Sequence, residues 1–95
     1  MMSGKIYVGD VGTEILIDMQ EDISMATEHV LLVKKPDGSM VEWLAALIDQ
    51  KHLKYICRDG DLDQKGTFKI QPQISLPGWS GLGETVSFQV YKKWS

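Results

Sequence analysis

The chain has 95 residues, of which 43% are hydrophobic and 24% charged, and its formal net charge is -3. These values are typical of one globular domain rather than a disordered chain, and they leave little room for a deep catalytic cleft beside a core. Because the balance is acidic and the basic residues form no run, nucleic acid and anionic membranes are not the expected partners.

Cysteine usage and hydropathy place the protein among soluble chains. Cys57 is the single cysteine, so no intrachain disulfide forms, and this suits a reducing cytoplasm. The start MMSGKIYVGD has no apolar run of signal-peptide length. No stretch reaches the roughly 20 apolar residues of a membrane span. We therefore expect a protein that is not exported by the general route.

Alternating apolar and polar residues predict seven short strands. In chain order they span residues 5–8, 13–19, 29–35, 40–48, 52–57, 66–76 and 84–92. The clearest is GTFKIQPQISL, which places Phe68, Ile70, Pro72, Ile74 and Leu76 on one face. Between the second and third strands, EDISMATE (residues 21–28) has room for a single helical turn.

The stretch MVEWLAALI is the ambiguous one, since its apolar run also fits a helix. We prefer a strand because PDGS stands just before it. Pro36 presets its own backbone angle and Gly38 accepts a left-handed conformation, so VLLVKKPDGSMVEWLA is predicted to form a β-hairpin. Trp43 then alternates with Val41 and Ala45 and is expected in the core.

Short strands at this spacing predict an all-β fold, either a sandwich or a barrel. If the strands run antiparallel in succession, the loops sort into two ends. GDVGT, PDGS and RDGDLDQ are expected at one end, and MQEDISMAT, IDQK and LPGWSGLGE at the other.

The acidic loop RDGDLD has two interpretations. Asp59, Asp61 and Asp63 are spaced like the first ligands of a calcium loop, but Gln64 and Ile70 stand where that motif has glycine and glutamate. In the predicted layout Asp10 and Asp37 share an end with these three aspartates, and weak calcium binding by such a cluster is the second hypothesis for a metal here.

The structural interpretation of the same loop explains more residues, and we prefer it. In immunoglobulin-like sandwiches a corner of this kind has a buried apolar residue, then a glycine, then an aromatic residue at the start of the next strand. Leu62, Gly66 and Phe68 fit these three positions. Phe68 replaces the usual tyrosine, so its hydroxyl bond is lost, and the aspartates are expected to be solvated turn formers.

No catalytic or cofactor site is predicted. His29, His52 and Cys57 are the only histidine and cysteine side chains, one fewer than a structural zinc usually needs. Cys57 alternates with Leu53 and Tyr55 and is expected to be buried and inert. No nucleophile, base and orienting group can be assembled, so an enzyme is not expected.

The loop LPGWSGLGE is the best candidate for a binding surface. Trp79 lies at its middle, either as an exposed anchor for a partner or as a lid over the open end of the core. Leu82 lies in the same loop, and Met25 lies in the loop predicted at the same end. These three residues are the predicted partner-binding set.

Four segments, in order, carry a family resemblance: GDVGTEILIDMQEDIS, VLLVKKPDGSMVEW, DLDQKGTFKIQPQI and GLGETVSFQV. They resemble small immunoglobulin-like domains of tailed bacteriophages and prophages. The chain is similar to the N-terminal modules of baseplate upper proteins and to short proteins of phage structural gene clusters. The likeness runs from about residue 5 to 92, and its most specific parts are the KKPDGS hairpin and the corner before Phe68.

The resemblance implies an immunoglobulin-like sandwich of about seven antiparallel strands that acts in the virion, or in the host cytoplasm during assembly. Its partners would be other phage structural proteins or further copies of itself, with no cofactor. Contacts are expected at the LPGWSGLGE end or at strand edges, including the last strand with Lys92 and Lys93. The alternative is a carbohydrate- or cell-surface-binding module with Trp79 as a stacking platform.

Overall fold

The computed structural model describes residues 5–94, and these residues form nine strands and no helix. The strands are β1 Ile6–Tyr7, β2 Glu14–Asp18, β3 Glu28–Lys34, β4 Met40–Leu44, β5 Ala46–Leu47, β6 His52–Ile56, β7 Gly66–Leu76, β8 Trp79–Leu82 and β9 Val86–Tyr91. The predicted all-β class is confirmed.

Two sheets share these strands. The large sheet has the order β1-β9-β7-β3-β4, with β8 also paired to β7, and the small sheet has the order β2-β6-β5. All pairs are antiparallel except β1 with β9, which is parallel, so the prediction of strands antiparallel throughout was wrong at that pair.

The two sheets bury one hydrophobic core between them. It draws on both sheets and on two connecting segments: Ile15, Ile17, Ile23, Leu31, Val33, Trp43, Ala45, Leu53, Tyr55, Cys57, Leu62, Phe68, Ile70, Ile74 and Val90. Across the layers, the ring of Trp43 from the large sheet stacks on Tyr55 from the small sheet, with centroids 4.6 Å apart and planes 10° apart. The prediction that Trp43 belongs to the core is confirmed.

The long strand β7 follows the predicted alternation. Phe68, Ile70, Pro72 and Ile74 are buried, while Leu76 at the end is partly buried. Pro72 has no N–H to donate, yet it sits inside a paired strand. The backbone N–H of Gly83 donates to its carbonyl, so this side of Pro72 faces the segment between β8 and β9. The ladder is already interrupted there, which is where proline is tolerated in sheets.

The segment LPGWSGLGE is a strand hairpin, not the long loop that the sequence suggested. Leu76 pairs with Trp79, so Pro77 and Gly78 alone make the turn, and Gly78 has φ +80°. Further along, Gln73 pairs with Leu82 but Ile70 pairs with Val86. The β8–β9 side therefore holds one residue more than β7 over this interval, which defines a β-bulge.

The predicted strand 40–48 is divided between the sheets. β4 pairs with β3 in the large sheet, whereas β5 pairs with β6 in the small one. Ala45 marks the crossing, where its carbonyl accepts a hydrogen bond from Nδ1 of His29 at 2.6 Å. Because a carbonyl only accepts, Nδ1 carries the hydrogen, and His29 has a structural role at this switch.

Within the predicted helical turn of residues 21–28, residues 23–26 form a β-turn instead. The N–H of Ala26 donates to the carbonyl of Ile23 at 2.9 Å, and the N–H of Ile23 donates to Gln50 at 2.6 Å. The side chain of Ile23 is buried in the core, and its backbone bond ties this loop to the turn between β5 and β6. Tertiary contacts therefore determine its conformation.

The corner before β7 and the sorting of the loops are confirmed. Leu62 and Phe68 are fully buried, and Gly66 has φ +123° with a Cβ position only 2.8 Å from Pro36 Cβ. At the same end, the N–H of Gly9 donates to Leu62 and the Nζ of Lys35 contacts Asp63. The three loops predicted at this end are thus in contact.

Candidate functional site

A groove of about 600 Å³ opens at the other end of the sandwich. On one side lie β2 and the loop that follows it, and on the other lie the β7–β8 hairpin and the start of β9. We call it the β2–β8 groove. Its apolar lining comes from both sheets: Ile17, Ile23, Pro72, Ile74, Leu76 and Val86.

The groove exists because two strands that flank it lack a neighbour on that side. Within residues 5–94, β2 pairs with β6 alone and β8 pairs with β7 alone. Each of these two strands therefore presents a row of backbone N–H and C=O groups along an open edge. Such edges are templates for pairing with a further strand.

Two glycines shape the wall that β8 forms. A Cβ on Gly81 would lie 2.7 Å from Cζ2 of Trp79, so the indole ring packs directly against this residue. A Cβ on Gly83 would lie 3.0 Å from Cγ of Pro72 and 3.1 Å from Cε of Met19. The absence of side chains at both positions lets the hairpin approach the apolar lining closely.

Trp79 has features of both roles that the sequence left open, an exposed anchor for a partner and a lid over the open end of the core. Its ring folds back over Gly81 in the wall of the groove, yet 54% of the residue is exposed. Its strand partner is Leu76, which is partly buried against the core. The indole is therefore held by its own hairpin while about half of the residue stays exposed.

The other two predicted partner residues, Leu82 and Met25, lie at different distances from the groove lining: only Leu82 contributes to it. Leu82, 51% exposed, lies at the rim of the groove and pairs with Gln73. Met25 is 68% exposed but does not line the groove, so its part in a partner contact stays a prediction. The turn closed by Ala26 leaves Met25 outside, while Ile23 of the same loop points into the groove.

Carboxylates dominate the polar rim. Asp18, Glu21 and Glu84 line the groove, and among residues 5–94 no lysine, arginine or histidine does so. Asp18 has one cationic neighbour when His52 is protonated, since its Oδ2 lies 3.8 Å from Nε2 of that histidine. The groove thus pairs an apolar lining with a negative rim. Sequence alone did not identify these residues, because only the packing of the two sheets brings Asp18 and Glu84 to one site.

The acidic loop at the opposite end is a structural corner. Asp61 accepts hydrogen bonds from the hydroxyl of Tyr55 and, at 2.7 Å, from the backbone N–H of Arg58. Asp63 pairs with Lys35 at 2.9 Å. In the described range 5–94, no three histidine, cysteine, aspartate or glutamate side chains are placed to hold a metal ion. The geometry therefore gives no support to a calcium site at Asp59, Asp61 and Asp63.

The bond between Tyr55 and Asp61 corrects the view that the aspartates are only solvated turn formers. Tyr55 belongs to the small sheet, and its hydroxyl holds the loop that leads into β7. Burial, followed by the hydrogen bond and charge of Asp61, raises the pKa of the Tyr55 hydroxyl above its ordinary value. A tyrosine from β6 thus anchors this corner, although Phe68 itself has no hydroxyl.

Cys57 and the second histidine show no geometry suited to chemistry. Burial, together with the negative charges of Asp61 and Asp10, raises the pKa of the Cys57 thiol to about 11. A nucleophilic cysteine has a lowered pKa, so Cys57 has the opposite character. Nδ1 of His52 donates to Asp49 at 2.8 Å in the turn before β6, which is a local structural contact.

The comparisons with protein families and with curated proteins add no relative to these observations. No protein-family model matches the chain, and no curated protein matches it significantly. The resemblance to phage immunoglobulin-like domains therefore stays a prediction. In residues 5–94 we find no helix with the length and apolar character needed to cross a membrane.

Proposed function

We propose that the chain is an immunoglobulin-like sandwich. The order β4-β3-β7-β9 in the large sheet corresponds to strands C′, C, F and G of that fold, and β2-β6-β5 corresponds to B, E and D. The tightly built corner at Leu62, Gly66 and Phe68 supports the same assignment.

We further propose that this domain is a non-enzymatic structural or accessory module of a tailed-phage or prophage particle. It acts through protein–protein contact in the tail, the baseplate or a decoration of the particle. The observation that carries this proposal is the β2–β8 groove, which joins a half-exposed Trp79 to an apolar lining and two open strand edges. Tryptophan in a partly enclosed pocket is typical of interface hot spots.

The chemistry of the groove favours a polypeptide as its occupant. A negative rim disfavours nucleic acid and anionic lipid, whose phosphates would meet Asp18, Glu21 and Glu84. An extended segment can pair with the open edge of β2 or β8 through backbone hydrogen bonds, while an apolar side chain enters the groove. Basic residues on that segment would complement the rim.

Capture from a lysate of the infected host or induced lysogen tests this proposal. The tagged chain is expected to retain an identified tail, baseplate or capsid protein, and Trp79→Ala is expected to lose it. The matched control is Leu44→Ala, which removes a 75% exposed side chain from β4, on the opposite edge of the large sheet from β8. Equal capture by both variants would place the contact elsewhere.

A glycan-binding assay with the same proteins separates the carbohydrate alternative. Retention of cell-wall or surface glycan by the native chain, lost in Trp79→Ala, without any virion protein, would refute the structural-module proposal. The sandwich assignment would stand in either case, because it rests on strand order.

A further inference from the structure

We propose that the β2–β8 groove binds residues Lys92–Trp94 of a second copy of this chain, in a head-to-tail contact. The inference rests on the proposed function, because it names the occupant of the same groove. It follows from three features: the chemistry of this segment, the chemistry of the groove and their positions in the fold.

The segment Lys92–Trp94 extends beyond the last strand. β9 ends at Tyr91, and Trp94 is 91% exposed, the most exposed large hydrophobic residue in the described part of the chain. The Nζ of Lys93 lies 5.4 Å from the centre of the Trp94 ring, and Lys92 is also exposed. The segment thus presents two cations beside an uncovered indole.

The groove is complementary to such a segment in charge and in polarity. Its rim supplies the carboxylates of Asp18, Glu21 and Glu84, and no cationic side chain of the described part of the chain lines it. The apolar lining beside Trp79 offers a place for a second indole. Opposite charges at the rim steer and orient the contact, whereas burial of the aromatic ring supplies most of its affinity.

The fold prevents a chain from filling its own groove. Val90 pairs with Gly66, whereas the part of β7 that lines the groove begins at Pro72. Six residues of strand separate the two positions by about 20 Å, and β9 runs away from the groove toward its end. Three further residues extend only about 10 Å from Tyr91. The segment is therefore available to a neighbouring copy.

This placement determines the type of assembly. The donor segment and the acceptor groove lie at opposite ends of a molecule whose longest dimension is 47 Å. A contact between two different surfaces repeats from copy to copy, and it closes into a ring or grows as a filament. A self-complementary contact through one surface would instead stop at a dimer. The two cases can therefore be separated by measuring the size of the assembly.

Two variants and their mixture provide the test. The groove variant carries Trp79→Ala and Glu84→Lys, and the segment variant carries Lys92→Glu and Trp94→Ala. All four positions are exposed, and circular dichroism establishes that both variants fold. Sedimentation velocity then measures association over a wide range of concentrations and at low and high salt.

The native chain is expected to associate with increasing concentration, and less so at high salt, since the rim pairs are screened. Each variant alone is expected to associate roughly tenfold more weakly or not at all, because each lacks an aromatic anchor. Mixed together, the variants retain one intact groove and one intact segment, so they are expected to form a 1:1 dimer and nothing larger.

The proposal is overturned if the native chain stays monomeric throughout, or if the mixture forms no dimer. It is also overturned if the segment variant associates as well as the native chain, because the contact then uses another surface, such as the exposed outer side of β4. Trp79-dependent capture of a different virion protein would leave the proposed function standing while this inference fails.

Discussion

The glycine at the entry to β7 allows a quantitative test of the corner. Gly66 has φ +123°, a conformation that L-residues with side chains rarely adopt. A Cβ placed on it would lie 2.8 Å from Cβ and 3.0 Å from Cγ of Pro36 in the β3–β4 turn. Gly66→Ala therefore adds backbone strain and a steric contact between two loops at one end of the sandwich.

The expected cost combines these two effects. Backbone strain contributes about 1–3 kcal/mol, and overpacking of a close contact about 1–3 kcal/mol. Alanine offsets roughly 0.4–1 kcal/mol by restricting the unfolded chain. We expect Gly66→Ala to lower the free energy of unfolding by about 3 kcal/mol. In a domain of this size that corresponds to a fall in Tm of roughly 12–24 °C.

Urea unfolding followed by tryptophan fluorescence measures this change. Gly38→Ala is the matched control, since its φ is +89° and no atom lies within 4 Å of the added Cβ. Gly38→Ala adds backbone strain but no steric contact, so it should lower the free energy of unfolding by only about 1 kcal/mol. In a Pro36→Gly background the contacting ring is gone, so Gly66→Ala should lower the free energy of unfolding by the same small amount as Gly38→Ala. If Gly66→Ala and Gly38→Ala lower the free energy of unfolding equally in the native background, the contact with Pro36 contributes nothing and the prediction is wrong.

Three further predictions concern the core and its titratable groups. Tyr55→Phe removes the hydrogen bond to Asp61 and should cost about 1–2 kcal/mol in urea unfolding; no change would show that the bond does not hold the corner. Folding raises the pKa of Cys57 from 9.0 to about 11 and so favours its neutral form. The free energy of unfolding should therefore be steady below pH 9 and fall as the pH rises toward 11. A constant value over that window would contradict the shift. Leu53→Ala should cost about 2–5 kcal/mol because Leu53 is fully buried, whereas Leu44→Ala on the surface should stay within about 0.5 kcal/mol; similar losses would contradict the packing.

Local sequence patterns predicted those parts of the fold that depend on neighbouring residues. The alternation in GTFKIQPQISL identified the buried face of β7, and Pro36 with Gly38 identified the β3–β4 hairpin. The corner was predicted from three residues, Leu62, Gly66 and Phe68, because each must satisfy a distinct steric requirement.

Features that depend on pairing between distant strands were missed. Nothing in MVEWLAALI shows that Ala45 is where the chain leaves one sheet for the other, since this depends on β3 and β6. The bulge between Leu82 and Val86 is equally hidden, because it appears only as a difference in register with β7. The last strand was expected to be an open edge, but β1 covers the end of β9.

In the candidate site, too, the features set by neighbouring residues were predicted and those set by distant strands were missed. Trp79 and Leu82 were identified because an aromatic and an apolar residue on a glycine-rich segment are conspicuous in any sequence. The rim carboxylates were not, because Asp18 and Glu84 meet only through the packing of the two sheets. A proline–glycine pair between apolar residues was the signal that could have revealed the β7–β8 hairpin.

Photo-crosslinking from position 82 shows whether the β2–β8 groove contacts another protein in the particle. A photoreactive amino acid replaces Leu82 at the rim of the groove, and in a parallel chain it replaces Leu44 on β4. Each chain is expressed in the host during particle assembly, and the particles are then purified and irradiated. We expect a crosslink from position 82 to a virion protein or to a second copy, and none from position 44. Crosslinks from position 44 alone, or particles without the chain, would contradict it.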